Sequence, residues 1–191
     1  MSQKSFIIFS PTRTGSTLIV GNINKYFDTD AIHTHDQLYV PPHDNFICIL
    51  SKRHNLFEST CSQLMMEYTN EESVYSNKLL SPFKADPGKF ISCYRNQLNY
   101  YNQIDLSRYK QIIEVYYEQL INDPDYLFGL LGIKEKTDYT LVNKSTNNYY
   151  NLFTNIAQLK LIADNYHDDM KICNSCPNLI GCRPSECVEK K

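Results

Sequence analysis

Hydrophobic residues form short continuous runs that alternate with longer, mixed segments along the chain. Two runs, SFIIFS (5–10) and NFICILS (45–51), are largely apolar, and IIEVYY (112–117) is a third run rich in β-branched and aromatic residues. Continuous apolar runs of this length are typical of strands that are covered on both faces of a parallel sheet. The pattern therefore predicts three buried strands at these positions.

The segments that follow these runs have the spacing of amphipathic helices. Five of them predict helices: 16–27, 56–68, 89–104, 124–133 and 149–170. Residues 71–88 have a mixed composition with two prolines, which indicates a long loop. Strands that alternate with helices predict an α/β fold with a parallel central sheet flanked by helices.

Size and composition indicate one domain with a small appendage. The chain has 191 residues, of which 42% are hydrophobic and 21% charged. We assign residues 1–170 to the α/β domain and 171–191 to a cysteine-rich tail. A net charge of −2 argues against a nucleic-acid partner. No apolar run reaches the ~18 residues of a membrane span, and the first run is too short for a signal peptide, so we expect a cytoplasmic protein.

The turn between the first strand and the first helix has the composition of an anion site. Residues 10–17, SPTRTGST, are called the anion loop below. A strand–turn–helix unit presents free backbone N–H groups at the positive end of the helix dipole. Gly15 allows close approach of a ligand, Arg13 adds a permanent charge, and Thr14, Ser16 and Thr17 add hydroxyl groups. The nucleoside-triphosphate motif is absent because no lysine follows Gly15.

The segment SPTRTGSTLI resembles the 5′-phosphosulfate-binding loop of the sulfotransferases that use 3′-phosphoadenosine-5′-phosphosulfate (PAPS). In that family a strand ends in Pro-x-[Lys/Arg]-[Ser/Thr]-Gly-[Ser/Thr]-[Ser/Thr], and a helix follows. The resemblance implies a P-loop-like sulfotransferase architecture. It places five residues at the cofactor: Arg13, Thr14, Gly15, Ser16 and Thr17.

A second segment, AIHTHDQL (31–38), resembles the part of these enzymes that carries the catalytic base. The resemblance places His35 on the base and His33 on a lysine of the family, so the lysine is replaced here. Imidazole titrates near neutrality and suits proton removal from an acceptor hydroxyl. We expect His35 to be the base, with His33 as the next candidate.

A third segment, FICILSKRHNLFESTCSQLM (46–65), is similar to the family's 3′-phosphate site, where an arginine at a strand end and a serine on the next helix bind the phosphate. Arg53 and Ser62 match these roles. Their spacing is nine residues where the family has eight. The register therefore also allows Cys61 or Ser59 in place of Ser62.

Two later segments agree with the resemblance in order and spacing. IIEVYYEQL (112–120) resembles a strand whose closing tyrosine lies near the adenine, and Tyr117 matches that tyrosine. VNKSTNNYYNLF (142–153) resembles a Lys/Ser pair before a helix, which places Lys144 and Ser145 near the 3′-phosphate. A later basic Gly-x-x-Gly loop of the family is missing, and the chain is short where acceptor-binding loops usually lie.

The resemblance implies transfer of the sulfuryl group of PAPS to an acceptor hydroxyl or amine, with 3′-phosphoadenosine-5′-phosphate as the second product. The acceptor stays open between a small molecule, a glycan, a lipid and a peptide tyrosine, and the oligomeric state is also open. Two other functions are compatible with a strand–loop–helix of this kind. One is a small-molecule kinase, and the other is a non-catalytic nucleotide-binding module with a zinc-binding interaction tail.

The tail contains four of the seven cysteines in the spacing C-x2-C-x5-C-x4-C. In a reducing compartment such a cluster favours a tetrahedral thiolate site with structural zinc. The four ligands would be Cys173, Cys176, Cys182 and Cys187. An iron–sulfur cluster, two disulfides or free thiols are the alternatives. The other three cysteines, Cys48, Cys61 and Cys93, lie on apolar runs and are expected in the core.

Overall fold

The computed structural model describes residues 4–42, 45–69, 81–123, 125–133 and 149–172. Its strands are β1 (Ser5–Phe9), β2 (Ile32–Thr34), β3 (Phe46–Lys52) and β4 (Gln111–Tyr116). They form one sheet in the order β2-β1-β3-β4, and every pair of neighbours is parallel. This arrangement confirms the predicted α/β class with a parallel central sheet flanked by helices.

Seven α-helices and two short 3₁₀ segments lie in the described part of the chain. The helices are α1 (Ser16–Phe27), α2 (Leu56–Thr69), α3 (Pro87–Asn99), α4 (Tyr117–Asn122), α5 (Tyr126–Leu130), α6 (Tyr149–Leu152) and α7 (Ile156–Ile172). The 3₁₀ segments are Tyr100–Gln103 and Leu106–Arg108. None of these helices is both long and apolar enough to cross a membrane, within the residues that the structure describes.

The central strand β1 is buried on both of its faces, which explains why its sequence is continuously apolar. Phe6 and Ile8 pack in a cluster with residues of α1, α4 and α5. Ile7 and Phe9 pack in a second cluster with Tyr100 and other residues that follow α3. All four strand side chains are 0% exposed. Removing one of the two phenylalanine rings should cost about 3–5 kcal/mol of stability.

A third apolar cluster joins α2, α3 and α7 away from the sheet. Its buried members include Met65, Phe90, Tyr94 and Leu159. Helix α3 begins at Pro87, and the carboxylate of Asp86 accepts from the next two free N–H groups, so the start of this helix is capped. This cluster fixes the position of α2, which carries Ser62 toward the carboxyl end of the sheet.

Several element boundaries differ from the sequence prediction. The strand predicted over 112–117 ends at Tyr116, and Tyr117 is the first residue of α4. The helix predicted over 149–170 is two helices, because Phe153 forms a parallel bridge with Phe83 between them. The predicted helices 89–104 and 124–133 are shorter, and the first gives way to 3₁₀ structure at Tyr100. Strand β2 was not predicted at all.

Candidate functional site

The residues that follow the four strands lie along one edge of the sheet and form the candidate site. The anion loop follows β1, His35 follows β2, Arg53 follows β3 and Tyr117 follows β4. The chain passes from β1 through α1 to β2 on one side, whereas β3 lies on the other side of β1. Ligands of parallel α/β sheets bind at the carboxyl ends where connections diverge in this way.

Two residues of the anion loop have left-handed backbone conformations. Their φ angles are +68° at Arg13 and +82° at Gly15. A Cβ at Gly15 would lie 2.5 Å from Cδ2 of Tyr117, so the packing of this ring against the loop requires glycine. The N–H groups of Gly15, Ser16 and Thr17 donate to no acceptor within the described residues. The loop therefore presents free donors at the positive end of α1.

The hydroxyl of Thr14 holds the loop together. Thr14 is 1% exposed and donates to the carbonyl oxygen of Pro11 at 3.0 Å. The buried hydroxyl of Ser51 on β3 donates to the carbonyl oxygen of Thr14 at 2.9 Å and lies 3.1 Å from its Oγ1. Thr14 was expected to bind ligand through this hydroxyl, which the structure places inside the loop. Ser16 is also largely buried, whereas Thr17 is exposed.

Arg13 reaches from the loop to helix α2. Its Nε donates to the hydroxyl of Ser62 at 2.8 Å, and Ser62 is 1% exposed. The two terminal nitrogens of Arg13 have no partner within the described residues, so they are free to bind an oxyanion. The structure thus brings Ser62 together with Arg13, although the sequence resemblance pairs it with Arg53.

The guanidinium of Arg53 is buried beneath the loop and is engaged on several sides. Its Nη1 donates to the carbonyl oxygen of Arg13 at 3.2 Å. Its Nη2 lies 3.1 Å from Glu58, and its Nε lies 3.5 Å from Glu118. The ring of Tyr117 lies 4.7 Å from the guanidinium carbon. With 8% of its side chain exposed, Arg53 supports the loop backbone and its charge is balanced by two carboxylates.

The other two candidates for the serine position have different surroundings. The hydroxyl of Ser59 lies 3.5 Å from the carbonyl oxygen of Thr12 and 3.4 Å from that of Arg13, so it also supports the loop from below. Cys61 is 0% exposed, and burial raises the pKa of its thiol to about 12. A neutral buried thiol is a poor phosphate ligand. Of the three, Ser62 is the one that contacts the charged side chain of Arg13.

Glu118 and Glu58, the two carboxylates beside Arg53, were not recognised from the sequence. Glu118 accepts from the backbone N–H groups of His54 and Asn55, at 3.0 and 3.2 Å. Burial alone would raise the pKa of Glu118, but these two donors and the charge of Arg53 outweigh it, so the pKa is lowered. A sequence signal was present, since Glu118 lies two residues after the end of β4 and the basic pair Arg53-His54 follows β3.

The histidine after β2 is held by the first residue of the anion loop. Nδ1 of His35 lies 2.6 Å from the carbonyl oxygen of Ser10. Because a carbonyl oxygen can only accept, Nδ1 carries the proton, and Nε2 has the lone pair of a base. Ser10 was not among the expected site residues, and its role depends on the pairing of β1 with β2.

His33 lies beside His35 in an edge-to-face arrangement, with ring centres 4.7 Å apart. Its Nε2 lies 2.9 Å from the hydroxyl of Ser10. Partial burial of the ring and the neighbouring His35 lower the pKa of His33. The lowered pKa favours the neutral form of His33. Its Nε2 is already engaged by Ser10, whereas Nε2 of His35 has no hydrogen-bond partner within the described part of the chain.

A cleft of about 560 Å³ opens next to His35 and is called the amide cleft below. Its lining includes Pro11 and Thr12 of the anion loop, together with His35, Tyr100 and Arg95. Six carboxamide side chains complete the lining: Gln37, Gln63, Asn96, Gln97, Asn99 and Gln103. The cleft thus adjoins both the base and the loop.

Six predicted site residues lie outside the described residues: Lys144, Ser145, Cys173, Cys176, Cys182 and Cys187. Among the residues that are described, no group of three or more His, Cys, Asp or Glu side chains is placed to hold a metal ion. The tail cysteines are not among those residues, so the zinc site in the tail stays a prediction.

No family model, characterised protein or solved structure matches this chain. The site combines an anion loop with free N–H donors, an arginine with free terminal nitrogens, and a histidine with a free basic nitrogen. Such a set can bind an oxyanion and remove a proton from a neighbouring group.

Proposed function

We propose that this chain is a PAPS-dependent sulfotransferase that uses His35 as the general base and an acceptor hydroxyl or amine as the nucleophile. The observation that carries the proposal is the link between the base and the anion loop. Nδ1 of His35 donates to the carbonyl oxygen of Ser10, the residue that opens the loop. A fixed proton acceptor therefore stands next to a set of free oxyanion donors.

Sulfuryl transfer needs groups that stabilise negative charge and a group that accepts a proton, and the site has candidates for both. Sulfuryl transfer resembles phosphoryl transfer, in which negative charge builds on the leaving oxygen. PAPS, when bound, supplies the sulfuryl group. The N–H groups of Gly15, Ser16 and Thr17 and the terminal nitrogens of Arg13 are donors held in place before the reaction, which is how such charge is stabilised. Nε2 of His35 takes the acceptor proton.

The proposed cofactor contacts follow the geometry as well as the resemblance. Ser62 is retained as the 3′-phosphate contact, and Arg13 is placed beside it because Nε of Arg13 donates to its hydroxyl. Arg53 becomes a positioning residue that holds the carbonyl oxygen of Arg13. Tyr117 is retained beside the nucleotide because its ring packs on Gly15.

A small-molecule kinase is the first alternative. Kinases of this architecture hold Mg²⁺ with a carboxylate near the phosphate loop. The carboxylates of Glu58 and Glu118 lie beside Arg53, which supports the loop, and both are paired with that arginine. The anion loop also has no lysine after Gly15. These observations favour sulfuryl over phosphoryl transfer.

The second alternative is a non-catalytic nucleotide-binding module with an interaction tail. A module of that kind needs the anion loop but has no need of a base. In the described residues, Nδ1 of His35 donates to the carbonyl oxygen of Ser10 and Nε2 has no partner. This orientation favours an enzyme instead.

The decisive test compares three nucleotides and then one histidine. Binding stabilises a protein by mass action, so 3′-phosphoadenosine-5′-phosphate should raise the melting temperature more than 5′-AMP or ATP. Equal shifts with AMP would contradict the PAPS assignment.

With labelled PAPS, His35→Ala should reduce transfer by about 10²–10⁴-fold while affinity for the bisphosphate persists. His54→Ala is the matched control, because this ring stacks on Tyr116 instead. Unchanged turnover in His35→Ala would remove the base from the proposal.

A further inference from the structure

Carboxamide side chains supply most of the polar groups that line the amide cleft. Binding sites for small molecules are usually lined mainly by hydrophobic and aromatic side chains with a few polar groups. Here six of the eleven lining residues are carboxamides, so polar groups are numerous, and they stand beside apolar surface that includes the methylene groups of the glutamines.

Carboxamides are suited to one class of ligand in particular. Each amide group has two N–H donors and a carbonyl acceptor, and a hydroxyl group both donates and accepts. No Asp or Glu lines the cleft, and Arg95 is its one permanently charged residue, of those that the structure describes. A flat phenol or an alkyl chain would bury these amides without pairing them, which is unfavourable.

Two of the lining glutamines, Gln63 and Gln97, have a fixed order of hydrogen-bond donors and acceptors. Nε2 of Gln63 donates to the carboxylate of Glu67 at 3.1 Å, and a carboxylate only accepts. The Oε1 of Gln63 therefore faces Gln97, whose Nε2 donates to it at 3.0 Å. This order leaves Oε1 of Gln97 as an acceptor.

That acceptor atom is the second observation that points to a ligand. Gln97 is 3% exposed, and its Oε1 is buried without a hydrogen-bond partner among the described residues. Buried polar atoms in native proteins are nearly always paired. Gln97 is one of the residues that line the cleft, which makes a ligand bound there the candidate partner for this atom.

We propose that the amide cleft is the acceptor site and that the acceptor is a hydroxyl-rich, sugar-like molecule. The inference rests on the proposed sulfotransferase function. One hydroxyl of the acceptor is placed at Nε2 of His35 and loses its proton there, and its oxygen forms the new bond to sulfur as the bond to the phosphate oxygen breaks. The carboxamides orient the remaining hydroxyls. The volume of about 560 Å³ lies within the range of sites for small molecules.

The test offers labelled PAPS and four acceptors to the full chain: lactose, p-nitrophenol, 1-octanol and a tyrosine peptide. Sulfation of lactose in preference to the other three is expected. Lactose binding is also measured without PAPS by saturation-transfer NMR, so that the cleft is examined separately from catalysis. Preference for the phenol, the alcohol or the peptide would overturn the inference.

Variants in the cleft give the matched comparison. Gln97→Leu should raise KM for lactose about tenfold, the effect of one lost hydrogen bond, while the thermal shift with 3′-phosphoadenosine-5′-phosphate stays unchanged. Gln103 also lines the cleft and is exposed, so Gln103→Leu provides a second variant if Gln97→Leu does not fold. Gln119→Leu is the control, because Gln119 is exposed on α4 outside the cleft.

The two proposals fail in different ways. If the bisphosphate stabilises the chain but lactose neither binds nor accepts sulfate, the acceptor inference is wrong and the cofactor assignment stands. If the bisphosphate does not bind, the proposed function is wrong, and the NMR measurement alone then decides whether the cleft binds a sugar. Equal lactose binding by wild type, Gln97→Leu and Gln103→Leu would place the sugar elsewhere.

Discussion

At the scale of single residues, the site depends on atoms that can act only as hydrogen-bond acceptors or only as donors. The carbonyl oxygen of Ser10 can only accept, and it thereby decides which nitrogen of His35 is the base. Thr14 is the opposite case, because its hydroxyl is used inside the loop. Composition alone predicted hydroxyl donors for the anion, and only the structure separates those that face inward from Thr17, which is exposed.

Substitutions of Arg13 distinguish the effect of its backbone conformation on stability from the effect of its guanidinium on activity. Its φ of +68° lies in the left-handed region, where a residue with a Cβ is disfavoured relative to glycine by about 1–2 kcal/mol. Arg13→Gly should therefore be more stable than Arg13→Ala by about 1 kcal/mol, as measured by urea unfolding. Both variants should lose most transfer activity, because neither has a guanidinium.

The two variants check each other. Both remove the hydrogen bond to Ser62, so their difference in stability reports the backbone alone. Equal stability of Arg13→Gly and Arg13→Ala would mean that residue 13 is not left-handed in solution. Wild-type turnover in either variant would exclude Arg13 from the oxyanion site.

At the scale of elements, a strong local hydrophobic pattern was sufficient to predict strands and helices, whereas the pairing of strands was not visible in the sequence. The strands β1 and β3 were predicted because each is a continuous apolar run, and helix α1 because its apolar positions have helical spacing. Strand β2 has only three residues, Ile32–Thr34, and an exposed histidine in its centre. It is a strand because β1 pairs with it, through Ile7 and Ile32 among others.

The corner between β3 and α2 shows the same limit for site residues. Arg53 was predicted from its position at a strand end, and its position is correct. Its partners Glu58 and Glu118 come from two different elements. Because residues 53 and 118 are far apart in sequence, no local pattern shows that they meet. The sequence resemblance therefore predicts a phosphate ligand, whereas the contacts favour a positioning residue.

Replacement of Arg53 distinguishes these two roles. A phosphate ligand predicts that Arg53→Ala weakens binding of the 3′,5′-bisphosphate by about tenfold to a hundredfold and leaves 5′-AMP unaffected. A positioning residue predicts that affinity for both nucleotides falls together, because the carbonyl oxygen of Arg13 loses its support. We expect the second result, measured by titration calorimetry.

The stability of Arg53→Ala should fall as well. Breaking a fully buried ion pair costs about 3–5 kcal/mol of stability. The arginine is 8% exposed, but its two carboxylate partners are about one-third exposed and partly screened by water. The loss of stability should therefore be smaller, about 2–3 kcal/mol. A selective loss of bisphosphate affinity without loss of stability would restore Arg53 as the phosphate ligand. Lys52→Ala is the control, since Lys52 pairs with Glu114 on β4.

The carboxylate of Glu118 makes the stability of the fold depend on pH in a definite direction. Its pKa is lowered in the folded state, so it stabilises the fold above the unfolded value of about 4.3. That contribution is lost as the pH falls through the folded pKa. The difference in melting temperature between wild type and Glu118→Gln should be full at pH 6–7 and should shrink below about pH 4. A constant difference over this range would contradict the assignment.

At the scale of the whole molecule, the described residues form one layered unit in which the sheet edge, α2 and the segment after α3 meet at the site. The order of motifs along the chain predicted this meeting, because the carboxyl ends of parallel strands share one edge. The amide cleft was not predicted. Its lining comes from segments as distant as Pro11 and Gln103, and scattered amides have no periodicity that a sequence would reveal.

The cysteine-rich tail provides a test of domain organisation. Helix α7 ends at Ile172, one residue before the first tail cysteine, so a chain that stops after Ile172 keeps every described element intact. We expect this shortened chain to unfold at nearly the same temperature as the full chain and to show the same shift with 3′-phosphoadenosine-5′-phosphate. This expectation follows from the assignment of residues 171–191 to a separate cysteine-rich tail.

Metal content then decides the chemistry of the tail. Four thiolates bind zinc tetrahedrally and leave no open position, which is the pattern of a structural site. Atomic emission should therefore find about one zinc per full chain and none in the chain that ends at Ile172. Cys176→Ser should also lose the zinc while transfer activity is kept. Iron in place of zinc would indicate a cluster. A metal-free chain that is lighter by four protons before reduction would instead establish two disulfides, and the zinc prediction would be wrong.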